Sequence, residues 1–161
     1  MKVHSLRFGT VELAEDRLLR FVRPVVGFDQ LGSYGVIEDP DSAPVLWLQA
    51  VDAPEVLFPA IDASLVAGDY GVDLDDEAVA ELGLDRAADA RLLCILTLSP
   101  DPTAVTVNLR APIVWNTRRA TALQVVLQDT EVPVSVPVRA AAGASRCNKE
   151  VARAGSNAPQ R

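Results

Sequence analysis

A chain of 161 residues, 49% apolar and with a formal charge of −7, is long enough to bury a real core and too short for two ordinary domains. Its acidic balance argues against a nucleic-acid footprint, which needs a clustered Lys/Arg surface, and favours a basic protein partner. Cys94 in an apolar run and Cys147 among polar residues do not read as a disulfide staple; with no secretory signal or long apolar span, a reduced, cytoplasmic location away from membranes is expected.

Strand signals dominate in chain order: Val3 to Phe8, Thr10 to Leu13, Arg17 to Phe21, Tyr34 to Ile37, Val45 to Val51 and Val56 to Ile61, then Leu92 to Leu98, Ala104 to Leu109, Ile113 to Asn116 and Leu123 to Leu127. Each run is short, β-branched or aliphatic, and bounded by Gly, Pro, Asp or Asn. The expected fold is all-β: a single antiparallel β-barrel-like or sandwich domain with one or two short helices. Prolines 44, 54, 100, 102 and 112 fall mostly at strand ends, where a missing backbone donor costs least, and Arg118-Arg119 falls in a turn. Pro59, inside a strand run, predicts an edge or a bulge.

One helix interrupts the strands. Asp75 is a suitable N-cap, Asp76 and Glu77 put negative charge on the first turn, Ala78 to Leu82 continue it, and Gly83 supplies a left-handed stop. A weaker helical signal covers Arg86 to Ala90. Residues 1–139 form the expected domain. Residues 140–161, rich in Ala, Gly and Ser, hold Arg146, Lys149, Arg153 and Arg161 against Glu150, a charge of +3 that leaves −10 on the body. A segment with so little apolar bulk cannot offset its own ordering entropy, and a disordered basic tail is expected there.

No catalytic or cofactor-binding residue is assigned. His4 is the chain's one histidine, lies near its start and has the character of a surface residue, so no triad can be built. Cys94, in Leu92-Leu93-Cys94-Ile95-Leu96, has the character of a core residue with a suppressed thiolate. The cluster Asp73-x-Asp75-Asp76-Glu77 lacks the glycine and distal glutamate of a calcium loop and coincides with the helix start, so no metal is expected. Gly32-Ser33-Tyr34-Gly35 leads into a strand and is not a phosphate loop.

What remains is an acidic surface. Eight carboxylates lie between Asp69 and Asp89 against Arg86, and Glu38, Asp39, Asp41, Asp52 and Glu55 make a second group around Trp47. Taken alone, such charge reads first as a solvated face; the sharper alternative is a docking face for a basic protein. The candidate partner-binding residues are Asp39, Asp41, Asp52, Glu55, Asp73, Asp75, Asp76 and Glu77. Trp47 and Trp115 suit a core, though aromatics near carboxylates also anchor interfaces. An alternative reading is a small β-barrel enzyme or carbohydrate-binding module that uses the acidic clusters.

Several segments occur together in a familiar order: Met1-Lys2-Val3 with Arg7-Phe8-Gly9, Gly27-Phe28, Val36-Ile37-Glu38-Asp39, Trp47 through Pro54, Glu81-Leu82-Gly83-Leu84, and Asn108-Leu109-Arg110-Ala111-Pro112-Ile113. In these segments, with Trp47, Gln49, Asn108 and Pro112 as structural motif residues, the chain resembles the flagellar assembly factor FliW family over nearly all of residues 1–138. The resemblance implies a cytoplasmic β-barrel-like protein without cofactor. It also implies binding to the translational regulator CsrA, which relieves repression of flagellin translation, and alternatively to flagellin, which is shielded before export. A flagellin chaperone without CsrA binding is the nearest variant of this reading. The chain departs from the usual family pattern at Phe21-Val22-Arg23-Pro24 and at Val132 to Pro137.

Overall fold

The computed structural model describes residues 1–138, so the expected basic tail from residue 140 lies outside the described residues. The chain opens with a hairpin of β1 (Lys2–Ser5) and β2 (Gly9–Glu12), followed by β3 (Leu18–Arg23), β4 (Ser33–Glu38), β5 (Leu46–Ala50) and β6 (Leu57–Asp62). Helix α1 (Asp76–Leu82) follows, then β7 (Ala90–Thr97), β8 (Thr106–Val107), β9 (Ile113–Asn116), β10 (Thr121–Gln124) and β11 (Val136–Pro137). Strands pair in the order β7-β6-β5-β4-β3-β10-β9, and β9 returns to β7, closing a seven-stranded barrel. The all-β expectation holds, and of its two forms the barrel is the one adopted. Six of its seven ladders are antiparallel; β10 against β3 is parallel.

Period-two alternation assigns side chains to two faces. Leu19, Phe21, Tyr34, Val36, Leu48, Ala60, Leu93, Ile113, Trp115 and Ala122 come from all seven strands and fill the barrel. Phe21 and Tyr34 meet edge-on at 4.9 Å, and Tyr34 lies 5.9 Å from Phe58, so the lumen is a packed core. The intervening residues Ile61, Cys94, Val114 and Leu123 face outward and are covered by residues 63–84, including Leu74, Ala78 and Leu82. On the other side the β1-β2 hairpin lies across β4, where a Cβ on Gly35 would collide with the Leu13 side chain and touch Val3.

Helix α1 forms as the sequence predicts. Asp75 accepts from the Ala78 amide at 2.7 Å, and Gly83 ends the helix in the left-handed region at φ 65°. A helix of seven residues is not stable alone; its support is the burial of Ala78 and Leu82 on the barrel. Arg86 to Ala90 gives only a short 3-10 turn, Ala87–Asp89.

Several strand limits differ from expectation. The first strand stops at Ser5, whose hydroxyl accepts from the amides of Arg7 and Phe8 and turns the chain. The run from Ala104 yields only Thr106–Val107, because Asp101 caps a 3-10 turn over Pro102–Ala104 through the Thr103 amide. Leu123 to Leu127 shifts back to Thr121–Gln124, and β11 pairs with β8. Pro59 lies in a strand flanked on both sides, but the β7 ladder begins only at Ala60, so at Pro59 the strand is locally an edge.

Candidate protein-binding surface

The strand directions divide the candidate carboxylates between the two rims of the barrel. Asp39 and Asp41 belong to the turn between β4 and β5, whereas Asp52 and Glu55 follow the far end of β5. The five residues of β5 span roughly 17 Å at about 3.3 Å per residue, so the group read around Trp47 as one cluster is two. Nearness in sequence misled here because a strand carries the chain across the molecule. Asp41, Asp52 and Glu55 are exposed, and half-buried Asp39 accepts from the Asp41 amide at 3.2 Å and the Ser42 hydroxyl at 3.3 Å.

Asp73, Asp75, Asp76 and Glu77 are all exposed along the entry to α1. Asp73 and Asp75 line an open groove of about 610 Å³ with Arg23, Val126, Asp129 and Val132. Arg23 sits over this region, donating to Glu81 Oε1 from Nε at 2.9 Å and Nη2 at 2.5 Å, with Asp75 Oδ1 at 4.0 Å. The hydrogen bond to Glu81 holds the Arg23 guanidinium above its ordinary pKa.

The motif residues Trp47, Gln49, Asn108 and Pro112 are buried or half-buried. Trp47 is 4% exposed, with Phe8 edge-on at 5.7 Å, the Arg7 guanidinium at 4.4 Å from its ring, and Nε1 donating to Ser42 Oγ at 2.8 Å. Trp115, equally buried, points into the lumen with Arg91 at 5.0 Å. Gln49 is fully buried, and its Nε2 lies within 3.1–3.2 Å of the carbonyls of Ala50, Ala53, Pro54 and Val56, holding the loop that carries Asp52 and Glu55. Asn108 is half-buried; its Oδ1 accepts from the amides of Arg110 and Ala111 at 2.9 and 3.2 Å. Pro112 is buried and its carbonyl accepts from Val125.

His4 is exposed, with Nδ1 3.1 Å from Thr10 Oγ1 across the hairpin. Cys94 is buried, and desolvation pushes its thiol up to about 12. Among the described residues no group of three or more His, Cys, Asp or Glu side chains is placed to hold a metal ion, and no helix is long and apolar enough to cross a membrane.

Sequence reasoning missed a second groove, formed where the turns Pro40–Ser42 and Ala63–Leu65 face each other. Its parts lie about twenty residues apart and carry no joint pattern; the single local signal was Asp62-Ala63-Ser64, a side chain capping its own turn.

The geometry defines a class: a small closed barrel whose two rims and helix margin present carboxylates. The family model described as "FliW protein" matches residues 2–138, and the chain belongs to the FliW family. It is 36% identical over 138 residues to the flagellar assembly factor FliW of Bdellovibrio bacteriovorus, covering 86% of this chain and 79% of that one. The flagellar assembly factor FliW of Syntrophus aciditrophicus is 34% identical over 134 residues, with 83% of this chain and 85% of the relative covered. A crystal structure of the flagellar assembly factor FliW superimposes with a TM-score of 0.78 at 28% identity, over 86% of this chain and 96% of that one.

Proposed function

We propose that the chain is a cytoplasmic, non-catalytic binding protein of flagellar assembly with two protein partners: a CsrA-type translational regulator and flagellin. Bound to the regulator it relieves repression of flagellin translation; bound to flagellin it shields the subunit before export. The observation that carries this reading is the exposed carboxylate set, Asp41, Asp52, Glu55, Asp73, Asp75, Asp76 and Glu77, displayed by a rigid barrel whose body has a charge of −10. An RNA-binding regulator must be basic, and opposite fields accelerate encounter and are screened by salt.

In this reading both partners use the carboxylate-bearing surface and so oppose one another, and the coupling is reciprocal. Titration of flagellin into a preformed complex with CsrA, followed by calorimetry, tests the reading. The expected result is displacement of CsrA, with CsrA weakening flagellin by the same factor. A stable ternary complex with unchanged affinities would refute the opposition, and absence of binding to either protein would refute that half of the function.

A further inference from the structure

The groove between the two facing turns has a volume of about 600 Å³ and lies at the rim opposite Asp52 and Glu55. Pro40, Pro44 and Val45 form one wall, and Leu65, 51% exposed, forms the other. Both lips are braced from within. Ser42 Oγ accepts the Trp47 indole N–H at 2.8 Å, and Asp62 Oδ1 accepts from the Ser64 amide at 3.0 Å and hydroxyl at 2.7 Å. A site held open by such bonds binds without first paying to order itself.

Charge in the groove is uneven. Glu38, Asp39 and Asp62 line it against Arg91; Asp62 pairs with Arg91 at 3.2 Å and exposed Glu38 meets Arg17 at 3.4 Å, which leaves Asp39 without a cationic partner among these pairs. Exposed Asp41 extends the negative field beyond one lip. An apolar slot bordered by carboxylates is complementary to an apolar side chain bordered by cations.

We propose that this groove docks an extended segment of a protein partner in which a leucine-sized side chain, seated against Leu65 and Val45, is flanked by lysine or arginine. The inference rests on the protein-binding reading but on neither named partner, and it is tested without them. The full chain, labelled with nitrogen-15, is titrated with three short capped peptides: Gly-Lys-Leu-Lys-Gly, its serine analogue Gly-Lys-Ser-Lys-Gly, and its acidic analogue Gly-Glu-Leu-Glu-Gly.

The expected result is saturable shifts of the backbone amides of residues 38–46 and 62–66 with the lysine-leucine peptide and with neither analogue. Leu65→Ser is expected to weaken that binding roughly tenfold and Leu65→Met to restore it. Because Leu65 is half exposed, both variants keep the parent melting temperature. Equal shifts from the serine analogue, shifts confined to residues 69–89, absence of shifts, or binding indifferent to Leu65→Ser would each overturn the assignment.

Discussion

Asn116 Nδ2 donates to the carbonyl of Leu82 at 2.9 Å, joining the last residue of β9 to the last residue of α1. Thr121 Oγ1 donates to the same carbonyl at 2.7 Å, so the two strands that bracket the Arg118-Arg119 turn both hold the helix terminus. A helix C-terminus leaves carbonyls without intrahelical donors, and these two side chains satisfy one of them out of water. Asn116→Leu is expected to cost about 1–3 kcal/mol: Thr121 still serves the Leu82 carbonyl, but the Gly83 carbonyl loses its donor and the Arg118 amide its acceptor. Urea denaturation reads the loss, and hydrogen exchange is expected to accelerate first at Ala78 to Gly83.

Gln49 supplies a sharper chemical test. Its amide has two N–H groups directed at a ring of carbonyls, a role that an ionised carboxylate cannot fill. Gln49→Glu buries a charge among acceptors, which raises its folded pKa above the unfolded value of about 4.3. The stability of this variant relative to the parent is therefore greatest below pH 4.3 and falls as pH rises through the folded pKa. Parallel urea titrations at pH 4 and 7 check the sign; an equal deficit at both would refute it.

Alkali is expected to loosen the outer core. Burial pushes the Cys94 thiol up to about 12 from an ordinary 9.0, and burial also raises Tyr70, whose hydroxyl donates to the Leu109 carbonyl. Both groups hold their protons more tightly when folded, so their contribution is fully present below pH 9 and declines as pH rises towards 12. The slope is at most about 1.4 kcal/mol per pH unit per group. Cys94→Ala should flatten the decline measured between about pH 8.5 and 9.5, below the ordinary phenol value of 10.0 at which Tyr70 joins in.

The acidic helix margin needs a split test. Asp75 caps the helix, so Asp75→Ala is expected to cost about 1 kcal/mol whatever it does to binding. Asp76 and Glu77 are exposed and make no capping bond; reversing both to lysine should move the melting temperature by only a few degrees through the helix dipole. That pair is expected to slow association with CsrA at low salt, measured by stopped flow. Unchanged rates would leave the margin a solvated face.

Trp47→Ala is expected to cost on the order of 3–5 kcal/mol, since the indole is packed by Phe8 and Arg7 and bonded to Ser42. Asn108→Ala should cost less, about 1–2 kcal/mol, because the side chain is half-buried and its loss frees two amides near solvent. Thermal melts of the two variants rank them.

Local chemistry was legible in the sequence, and juxtaposition was not. The helix from Asp76 to Leu82 was readable because cap, first-turn charge and left-handed glycine each act within a few residues. The strands were readable as short β-branched or aliphatic runs bounded by turn residues, and Cys94 from its neighbours. Nothing near Arg20 or Thr121 announces that these residues pair in parallel and close the barrel, since that choice is made by all seven strands together. The separation of Asp41 from Asp52, the facing of Leu65 and Val45, and the ring of carbonyls around Gln49 follow from the closure and were hidden with it.

The parallel ladder of β3 with β10 also sets a schedule. Arg20 must wait for Thr121, about a hundred residues later, and at roughly 5–20 residues per second of synthesis that is a delay on the order of 5–20 s. Throughout it one edge of β3 has no partner strand, a template for any other extended chain. Closure by so distant a pairing is slow even in the finished protein, since loop entropy must be overcome before the ladder rewards it. The closed barrel thus forms late, because its last ladder cannot form until β10 has emerged.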